Sequence, residues 1–309
     1  MTISNSNMKK IMTMLSLALA VMAQAQILQV NSVELIDMTA SDDMVMQAVA
    51  ISPHGDYLML STDTKKGLIK WDLNTGNATT ITTDEGAGSD VRISDDGRHV
   101  VYSEVTYKDR RRHQAIKAMD LSTAKKQTLV KPTRDLRGFA LDHGTAMTLS
   151  GEKVKLHGLD GTKGSITRPQ LTAYHLKLYI TTSNGTTLLA PNGTNENYVW
   201  GSLSPDGSRV LYYVSGRGTF VCNIDGSGVI AMGDLTAPKW WDNNTIVGMN
   251  ETDDEYTITS STIVARNLDG TEQVLTGDDV IATYPLPSHQ SGKIAFSTPD
   301  GKIYLINVE

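Results

Sequence analysis

Short apolar runs recur along this chain, and each is preceded by a turn rich in Ser, Asp and Gly. The clearest copy is the turn Ser204-Pro205-Asp206-Gly207, followed by the apolar residues 210–213. Period-two alternation bounded by such turns is typical of β-strands, because Gly and Asn accept the positive φ that tight turns require. No segment after residue 25 shows capped 3.6-residue periodicity. The pattern therefore predicts an all-β chain with almost no helix.

The interval between the turns indicates a propeller. Gly55, Gly97 and Gly144 hold equivalent positions and lie 42 and 47 residues apart, close to the ~40–45 residues of a four-stranded blade. Each of these turns joins two strands into a hairpin, called here the first hairpin of a blade, and the chain has six of them. A second hairpin follows each one, and residues 153–191 hold one second hairpin more than six blades require. We therefore predict a β-propeller of six four-stranded blades with one inserted hairpin. Seven blades, one of them eroded, is the alternative.

The two ends of the chain complement each other. After the last first hairpin, only residues 302–308 remain as a strand, which leaves that blade one strand short. Residues 27–36 form a strand without a hairpin partner. We expect the two segments to pair, because the N-terminal strand would complete the last blade, close the ring and remove an exposed sheet edge.

Residues 1–25 have the three parts of a secretory signal peptide. Lysines at positions 9 and 10 precede the apolar run 11–22, and Ala23-Gln24-Ala25 is a small-x-small cleavage site. The apolar run is too short to span a bilayer. We therefore expect residues 26–309 to form a single propeller domain of a periplasmic or secreted protein, with no membrane span after cleavage.

Charge and cysteine content narrow the classes of partner. The formal net charge is −6, and loss of the two signal-peptide lysines makes it more acidic. Such a balance argues against nucleic acid and anionic membranes as partners, which leaves a protein or an extracellular or periplasmic ligand. Cys222 is the only cysteine, so no internal disulfide forms, and a buried free thiol is expected.

The turn and strand at residues 204–213 resemble the repeat of the TolB-type periplasmic propellers. The same repeat builds the non-catalytic propellers of dipeptidyl and prolyl peptidases. The resemblance implies a propeller, but repeat turns indicate fold rather than function. Two departures are expected. Residues 26–47 are too short for the additional N-terminal domain of TolB, and no hydrolase domain follows the propeller, as it does in the peptidases.

We find no complete catalytic motif. The nearest fragment to Gly-x-Ser-x-Gly contains Ser202 and Ser204, lacks the second Gly and lies inside a repeat strand. His54, His143 and His289 share a position in first-hairpin turns, but equivalent turns are spread around a ring. Solvated turn histidines are therefore the better interpretation than a metal site, and we predict neither metal nor cofactor.

The candidate binding residues lie between second and third strands. The basic run at residues 108–113 includes three consecutive arginines, whose forked guanidinium groups suit carboxylates. A solvated loop is the alternative. Because equivalent turns lie on one face of a propeller, we expect the following residues to share that face: Arg110, Arg111, Arg112, Arg217, Asp253 and Asp254.

Two functions remain open. The leading interpretation is a non-enzymatic interaction module of the cell envelope that binds a protein or another ligand. The alternative is a propeller enzyme, a lyase or a glycosidase, with acidic and His residues at the central channel. At least two carboxylates or His side chains gathered at the channel mouth would favour the enzyme.

Overall fold

The computed structural model describes residues 26–36, 38, 45–161 and 163–309. These residues form 26 strands in seven antiparallel sheets, which are the blades of a ring. Within the described ranges the only helical element is a 3-10 turn at His289–Ser291, and no helix there is long and apolar enough to cross a membrane. The predicted all-β propeller is confirmed. The signal peptide lies outside the described residues.

The blades are numbered in chain order, and the strands of each blade are given from the innermost to the outermost. Blade 1 contains β2 (Met46–Ile51), β3 (Tyr57–Thr62), β4 (Leu68–Asp72) and β5 (Ala78–Thr82). Blade 2 contains β6 (Val91–Ile93), β7 (His99–Lys108), β8 (Arg111–Asp120) and β9 (Lys125–Thr133). Blade 3 contains β10 (Leu136–Asp142), β11 (Thr145–Ser150) and β12 (Lys153–Gly158). Blade 4 contains β13 (Gln170–Tyr174), β14 (Lys177–Thr182) and β15 (Gly185–Leu189).

The remaining blades each have four strands. Blade 5 contains β16 (Tyr198–Leu203), β17 (Arg209–Val214), β18 (Gly218–Asn223) and β19 (Ile230–Ala231). Blade 6 contains β20 (Thr236–Trp240), β21 (Thr245–Asp253), β22 (Ile258–Asn267) and β23 (Glu272–Val274). Blade 7 contains β24 (Thr283–Ser288), β25 (Lys293–Ser297), β26 (Ile303–Val308) and the N-terminal strand β1 (Val30–Leu35).

The ring has seven blades, the alternative of the two predicted counts, so the count of six with an inserted hairpin is corrected. The hairpin interpreted as an insertion is the outer part of blade 4, whose innermost strand is β13. The turn from β13 to β14 holds His175 and Leu176, both at positive φ (49° and 59°). It has no Ser-x-Asp-Gly pattern, and for that reason the repeat did not reveal it.

Blades 3 and 4 differ from the rest, because each has three strands and β13 runs opposite to its neighbours. Arg168, just before β13, donates to the Pro205 carbonyl beyond the end of β16 (2.9 Å). At the other end, the Tyr198 amide that opens β16 donates to the Leu176 carbonyl beyond β13 (2.9 Å). After a three-stranded blade, the chain leaves on the face opposite to the one from which it leaves a four-stranded blade. A second three-stranded blade returns the chain to the usual face, so blade 4 compensates for blade 3.

The predicted closure of the ring is confirmed. Strand β1 pairs antiparallel with β26, from Val30 opposite Val308 to Leu35 opposite Tyr304. The Gln273 side chain of blade 6 anchors the entry, since its amide oxygen accepts the Ile27 and Leu28 amides at 2.6 and 2.8 Å. Closure therefore links the N-terminus to both blades 6 and 7.

The repeated turn is built by its serine and its glycine. In blade 5 the Ser204 hydroxyl donates to an Asp206 carboxylate oxygen (2.6 Å) and accepts the Arg209 amide (3.0 Å). Gly207 has φ +72°, a region in which a side chain is strained. Such turns begin strands whose apolar faces pack between blades, and blade 5 buries Val210, Tyr212 and the Cys222 thiol completely. The buried-thiol expectation is confirmed.

Candidate functional site

The innermost strands enclose two cavities that meet in the middle of the ring. One of about 590 Å³ lies at the face of the first-hairpin turns, with Ser52, Asp242 and His289 among its lining residues. The other, of about 430 Å³, lies at the opposite face, where the turns between second and third strands are found. Val49, Lys239 and Leu286 line both cavities. Together they form the central channel.

The smaller cavity is lined by three residues in an unusual backbone conformation. Trp200, Ala237 and Tyr284 have φ values of 54°, 47° and 53°. Each lies where the register of an innermost strand shifts, in blades 5, 6 and 7. Left-handed backbone is rare for bulky side chains, and such bulges re-aim side chains next to functional sites. Here they bring two aromatic rings to the channel.

The aromatic rings at this mouth are partly accessible. Trp200 is 37% exposed and Tyr284 is 44% exposed, although both lie on innermost strands. The Trp200 ring packs edge-on against Tyr213, with centroids 5.2 Å apart, which fixes its orientation. Sequence reasoning interpreted Trp200 as packing between blades and did not single out Tyr284. The signal that could have been noticed was an aromatic residue at the same distance before two first-hairpin turns.

Cationic side chains lie along the channel. Burial and the neighbouring Arg92 lower the pKa of Lys239 to about 8. Within the described residues the Lys239 ammonium group has no direct hydrogen bond or ion pair, and the neighbouring Asp90 carboxylate offsets only part of the pKa lowering. Arg92 is paired with Asp90 at 3.1 Å. At the second mouth, the Lys65 ammonium donates to Gln47 (2.6 Å), and burial lowers its pKa.

This arrangement suits an anionic ligand with a flat or apolar face. A partly buried ammonium without a counter-ion is costly in a low-dielectric channel, and a carboxylate or phosphate would lower that cost. Exposed aromatic faces offer stacking area to a ring-containing ligand. The channel can therefore supply charge at Lys239 and apolar contact at Trp200 and Tyr284.

The residues predicted from the sequence lie in three separate blades. Arg110 is in the turn between β7 and β8, Arg111 and Arg112 begin β8, and all three are exposed. Arg217 follows β17 and pairs with Glu196 at 2.9 Å. No hydrogen bond or ion pair within the described residues joins the three groups to one another.

The two acidic members shape their own turn. Asp254 accepts the amides of Tyr256 and Thr257 at 3.1 and 2.8 Å, and these bonds lower the pKa of its carboxyl group. Asp253 accepts the Glu255 amide at 2.9 Å. All six predicted residues lie at or beside turns between second and third strands. Their action as one binding surface stays a prediction.

Of the two serines in the candidate fragment, Ser204 is engaged in its turn, whereas the buried Ser202 hydroxyl has no hydrogen-bond partner within the described residues. Two of the three turn histidines, His143 and His289, also have partners. Ser204 is 2% exposed, and its hydroxyl belongs to the Asp206 turn described above. His289 packs edge-on against Trp241, and His143 lies 2.8 Å from an Asp142 carboxylate oxygen. His54, His143 and His289 are in turns of blades 1, 3 and 7. Within the described part of the chain, no three His, Cys, Asp or Glu side chains are grouped as metal ligands would be.

Comparison with known proteins supports the fold and goes no further. No protein-family model matches the chain, and no curated protein matches it in sequence. The WD40 repeats of RRP9 superpose with a TM-score of 0.64 at 8% identity, covering 91% of this chain and 100% of that one. U3-55K superposes with a TM-score of 0.63 at 8% identity, covering 89% of this chain and 98% of that one. At such low identity these similarities show a propeller alone.

Propellers of the predicted resemblance are also among the similar structures. TolB from Acinetobacter baumannii is 16% identical with a TM-score of 0.49, and the alignment covers 87% of this chain. The chain spans only 57% of that TolB structure. A manganese complex of oligogalacturonate lyase is 15% identical with a TM-score of 0.47, covering 84% of this chain and 76% of the lyase.

Proposed function

We propose that this chain is an exported, non-enzymatic propeller that binds an anionic ligand in its central channel. The observation that carries the proposal is the Lys239 ammonium group, which lies in the channel without a direct ion pair among the described residues. The ligand is a carboxylate or phosphate compound with a ring or apolar face, which would contact Trp200 and Tyr284. Binding pockets of this kind combine apolar walls with a few placed polar groups.

The charge of the molecule makes this channel distinctive. The chain as a whole is acidic, yet Lys239 and Arg92 line the channel and Lys65 lines its second mouth. The acidic residues of the same cavities, Asp242 and Asp63, lie at the two mouths. Lys239 and Arg92 would attract anionic ligands that are small enough to enter the channel. Lys239 lies between the two cavities and would contact a ligand entering from either mouth.

The enzymatic alternative predicts acidic and His residues at the channel mouth, and Asp242 and His289 do line the larger cavity. The carboxylate of Asp242 accepts two turn amides, from Asn244 and Thr245, each at 2.7 Å. The nearby His289 contacts Trp241. These two groups have structural partners, whereas the Lys239 ammonium does not, so the channel favours binding over acid–base catalysis.

The test is a thermal-shift screen of the mature protein against uronates, aromatic carboxylates and sugar phosphates, followed by calorimetry on each hit. We expect hits whose affinity falls about tenfold or more in Lys239→Gln, since a charged hydrogen bond is worth about 1.5–3 kcal/mol. Lys131→Gln removes an exposed lysine outside the channel and serves as the matched control. Equal affinity of both variants for every hit, or turnover of a hit, would contradict the proposal.

The pH dependence of binding gives a second readout. Because the pKa of Lys239 is about 8, its ammonium group loses its proton as the pH rises through that value. Affinity for an anion is therefore expected to be full well below pH 8 and to decrease above it, with about half a proton taken up per ligand bound at pH 8 and more at higher pH. Calorimetry in buffers of different ionisation enthalpy measures that uptake, which should vanish in Lys239→Gln.

Export is part of the proposal and rests on residues 1–25. Fusing these residues to a reporter enzyme that is active only outside the cytoplasm tests it. We expect activity from the fusion and loss of activity when the apolar run 11–22 is interrupted by charged residues.

A further inference from the structure

We propose that the outer edge of blade 3 accepts an extended acidic segment of another protein as its fourth strand. This interaction surface is separate from the central channel. Blade 3 ends at β12, whereas blades 1, 2, 5, 6 and 7 each have a further strand outside the equivalent position. Added strands of this kind pair through main-chain N–H and C=O groups.

Strands β12 and β15 are the two third strands without a fourth in the described structure, and β12 alone of the two has no buried residue. None of its six residues is buried, whereas the third strands β18 and β26 bury most of their side chains beneath a fourth. Val154 and Leu156 remain 37% and 38% exposed. Gly164 packs against the C-terminal end of β12, so closely that a Cβ added to it would lie 3.0 Å from the His157 amide nitrogen. The open part of the edge is therefore Lys153–Leu156.

The net charge of residues 108–177, the sector of the chain that contains β12, indicates the kind of partner. Residues 108–177 contain 15 Lys and Arg against 6 Asp and Glu, a net charge of +9 in a chain whose overall charge is −6. Lys153 and Lys155 are exposed, and no ion pair within the described residues includes either. Opposite charges on directly opposed strands stabilise pairing. An acidic segment is therefore the complement of this edge.

Alternation along β12 specifies the partner's pattern. Lys153 and Lys155 point to one face of the blade, and Val154 and Leu156 point to the other, because successive strand residues alternate. A matching strand carries Asp or Glu opposite the lysines and apolar residues between them. A polynucleotide could neutralise the lysines, but it has no main-chain amides to pair with the edge. The open edge thus favours a protein segment over nucleic acid.

The molecule already uses this mode of assembly once. Blade 7 obtains its outer strand from β1, which is separated in sequence from the rest of that blade and pairs with β26 along its length. In blade 7 the added strand comes from the same chain. In blade 3 no strand within the described residues takes the equivalent place.

The probe is a fluorescent peptide in which Glu and Val alternate, titrated against the mature protein by anisotropy. We expect binding that weakens about tenfold or more in the double variant Lys153→Glu/Lys155→Glu, since attractive cross-strand pairs become repulsive. The double variant Lys125→Glu/Lys126→Glu changes the charge of the same sector equally, on exposed positions of β9, and should weaken binding far less. Equal losses in the two variants would overturn the proposal.

Main-chain pairing is tested separately. A peptide of the same sequence with alternate amides methylated keeps its charge but cannot pair along one edge, so it should not bind. Hydrogen exchange should show added amide protection at residues 153–156 with the unmodified peptide. Undiminished binding of the methylated peptide, or tighter binding of an oligonucleotide of equal charge, would show polyanion attraction and overturn the proposal. Self-association abolished by the Lys153/Lys155 variant would identify a second copy as occupant and also overturn it.

Discussion

Blades 5 and 3 both pack against neighbouring blades of the ring, but they differ in the number of strands and in how far their side chains are buried. Blade 5 begins with the best copy of the repeated turn, has four strands, and buries Tyr212 and Val210 completely. Blade 3 has a degenerate turn, three strands and an outer strand without a buried residue. The comparison teaches that the ring tolerates incomplete blades where strand direction is restored by a neighbour. Blade 4, with its reversed β13, provides that restoration.

Removal of residues 26–36 should have the largest effect. It converts blade 7 into a three-stranded blade like blade 3, but it also uncovers β26, whose residues are mostly buried, and removes buried Leu28. We expect loss of cooperative unfolding, because an exposed apolar edge favours association over folding. Urea unfolding followed by circular dichroism measures this. A variant with unchanged midpoint would show that blade 7 tolerates three strands as blade 3 does.

Matched leucine truncations should separate the two blades. Leu211→Ala on β17 removes a fully buried side chain and should lower the free energy of unfolding by about 2–5 kcal/mol. Leu156→Ala on β12 removes a side chain that is 38% exposed, and the loss should be within about 0.5–1 kcal/mol. Chemical denaturation compares the pair. Similar losses would mean that the edge of blade 3 is covered in solution.

The polar contacts between blade 3 and the segment just before β13 should make the stability of the protein depend on pH. Asp142 of blade 3 accepts the Arg168 guanidinium at 2.8 Å and the Thr167 amide at 3.0 Å. Burial opposes ionisation, but the Thr167 amide, His143 and Arg168 outweigh it and lower the pKa of the Asp142 carboxyl group.

Asp142→Asn should therefore lower the free energy of unfolding by about 1–3 kcal/mol at neutral pH. A lowered pKa contributes stability above the unfolded value of about 3.9, and that contribution is lost as the pH falls through the folded pKa. The difference between wild type and variant should accordingly shrink below about pH 4. A difference that stays constant down to acid pH would exclude the ionised carboxylate as its cause.

The exposed arginines should have the smallest effect on stability. Changing Arg110, Arg111 and Arg112 to Ala should leave the unfolding free energy within about 0.5 kcal/mol, since the side chains are exposed. If they contact an acidic partner, affinity should fall and its salt dependence should flatten. A salt series with a partner recovered from the cell envelope measures this. Identical salt slopes would leave the arginines as solvated surface.

Some features could be predicted because they depend on local chemistry. The turn at Ser204 is closed by its own hydroxyl, Asp206 and Gly207, so four residues suffice to reveal a hairpin. Ring closure was also predictable, since an unpaired strand at each end has few alternatives to pairing. Blade 4 was not recognised as a separate blade because its first turn, at His175 and Leu176, uses left-handed non-glycine residues that no turn pattern identifies.

The candidate site could not be predicted in the same way. Lys239, Trp200 and Tyr284 come from three blades and are distant in sequence, and their meeting depends on bulges that only the ring geometry reveals. The predicted arginine cluster, in contrast, was visible because its members are consecutive. Proximity in sequence made it a candidate, although no hydrogen bond or ion pair within the described residues joins its members to the other predicted groups.

By itself, the sequence determined the strands, the turns, the closing pair and the all-β ring, because alternation and turn chemistry act over a few neighbouring residues. Only the tertiary structure decided the blade count, the reversed direction of β13, the uncovered edge of β12 and the charge of the channel. Each of these is a relation between blades. Such relations depend on how the chain returns to the ring axis after each blade, and no short pattern of residues encodes that path.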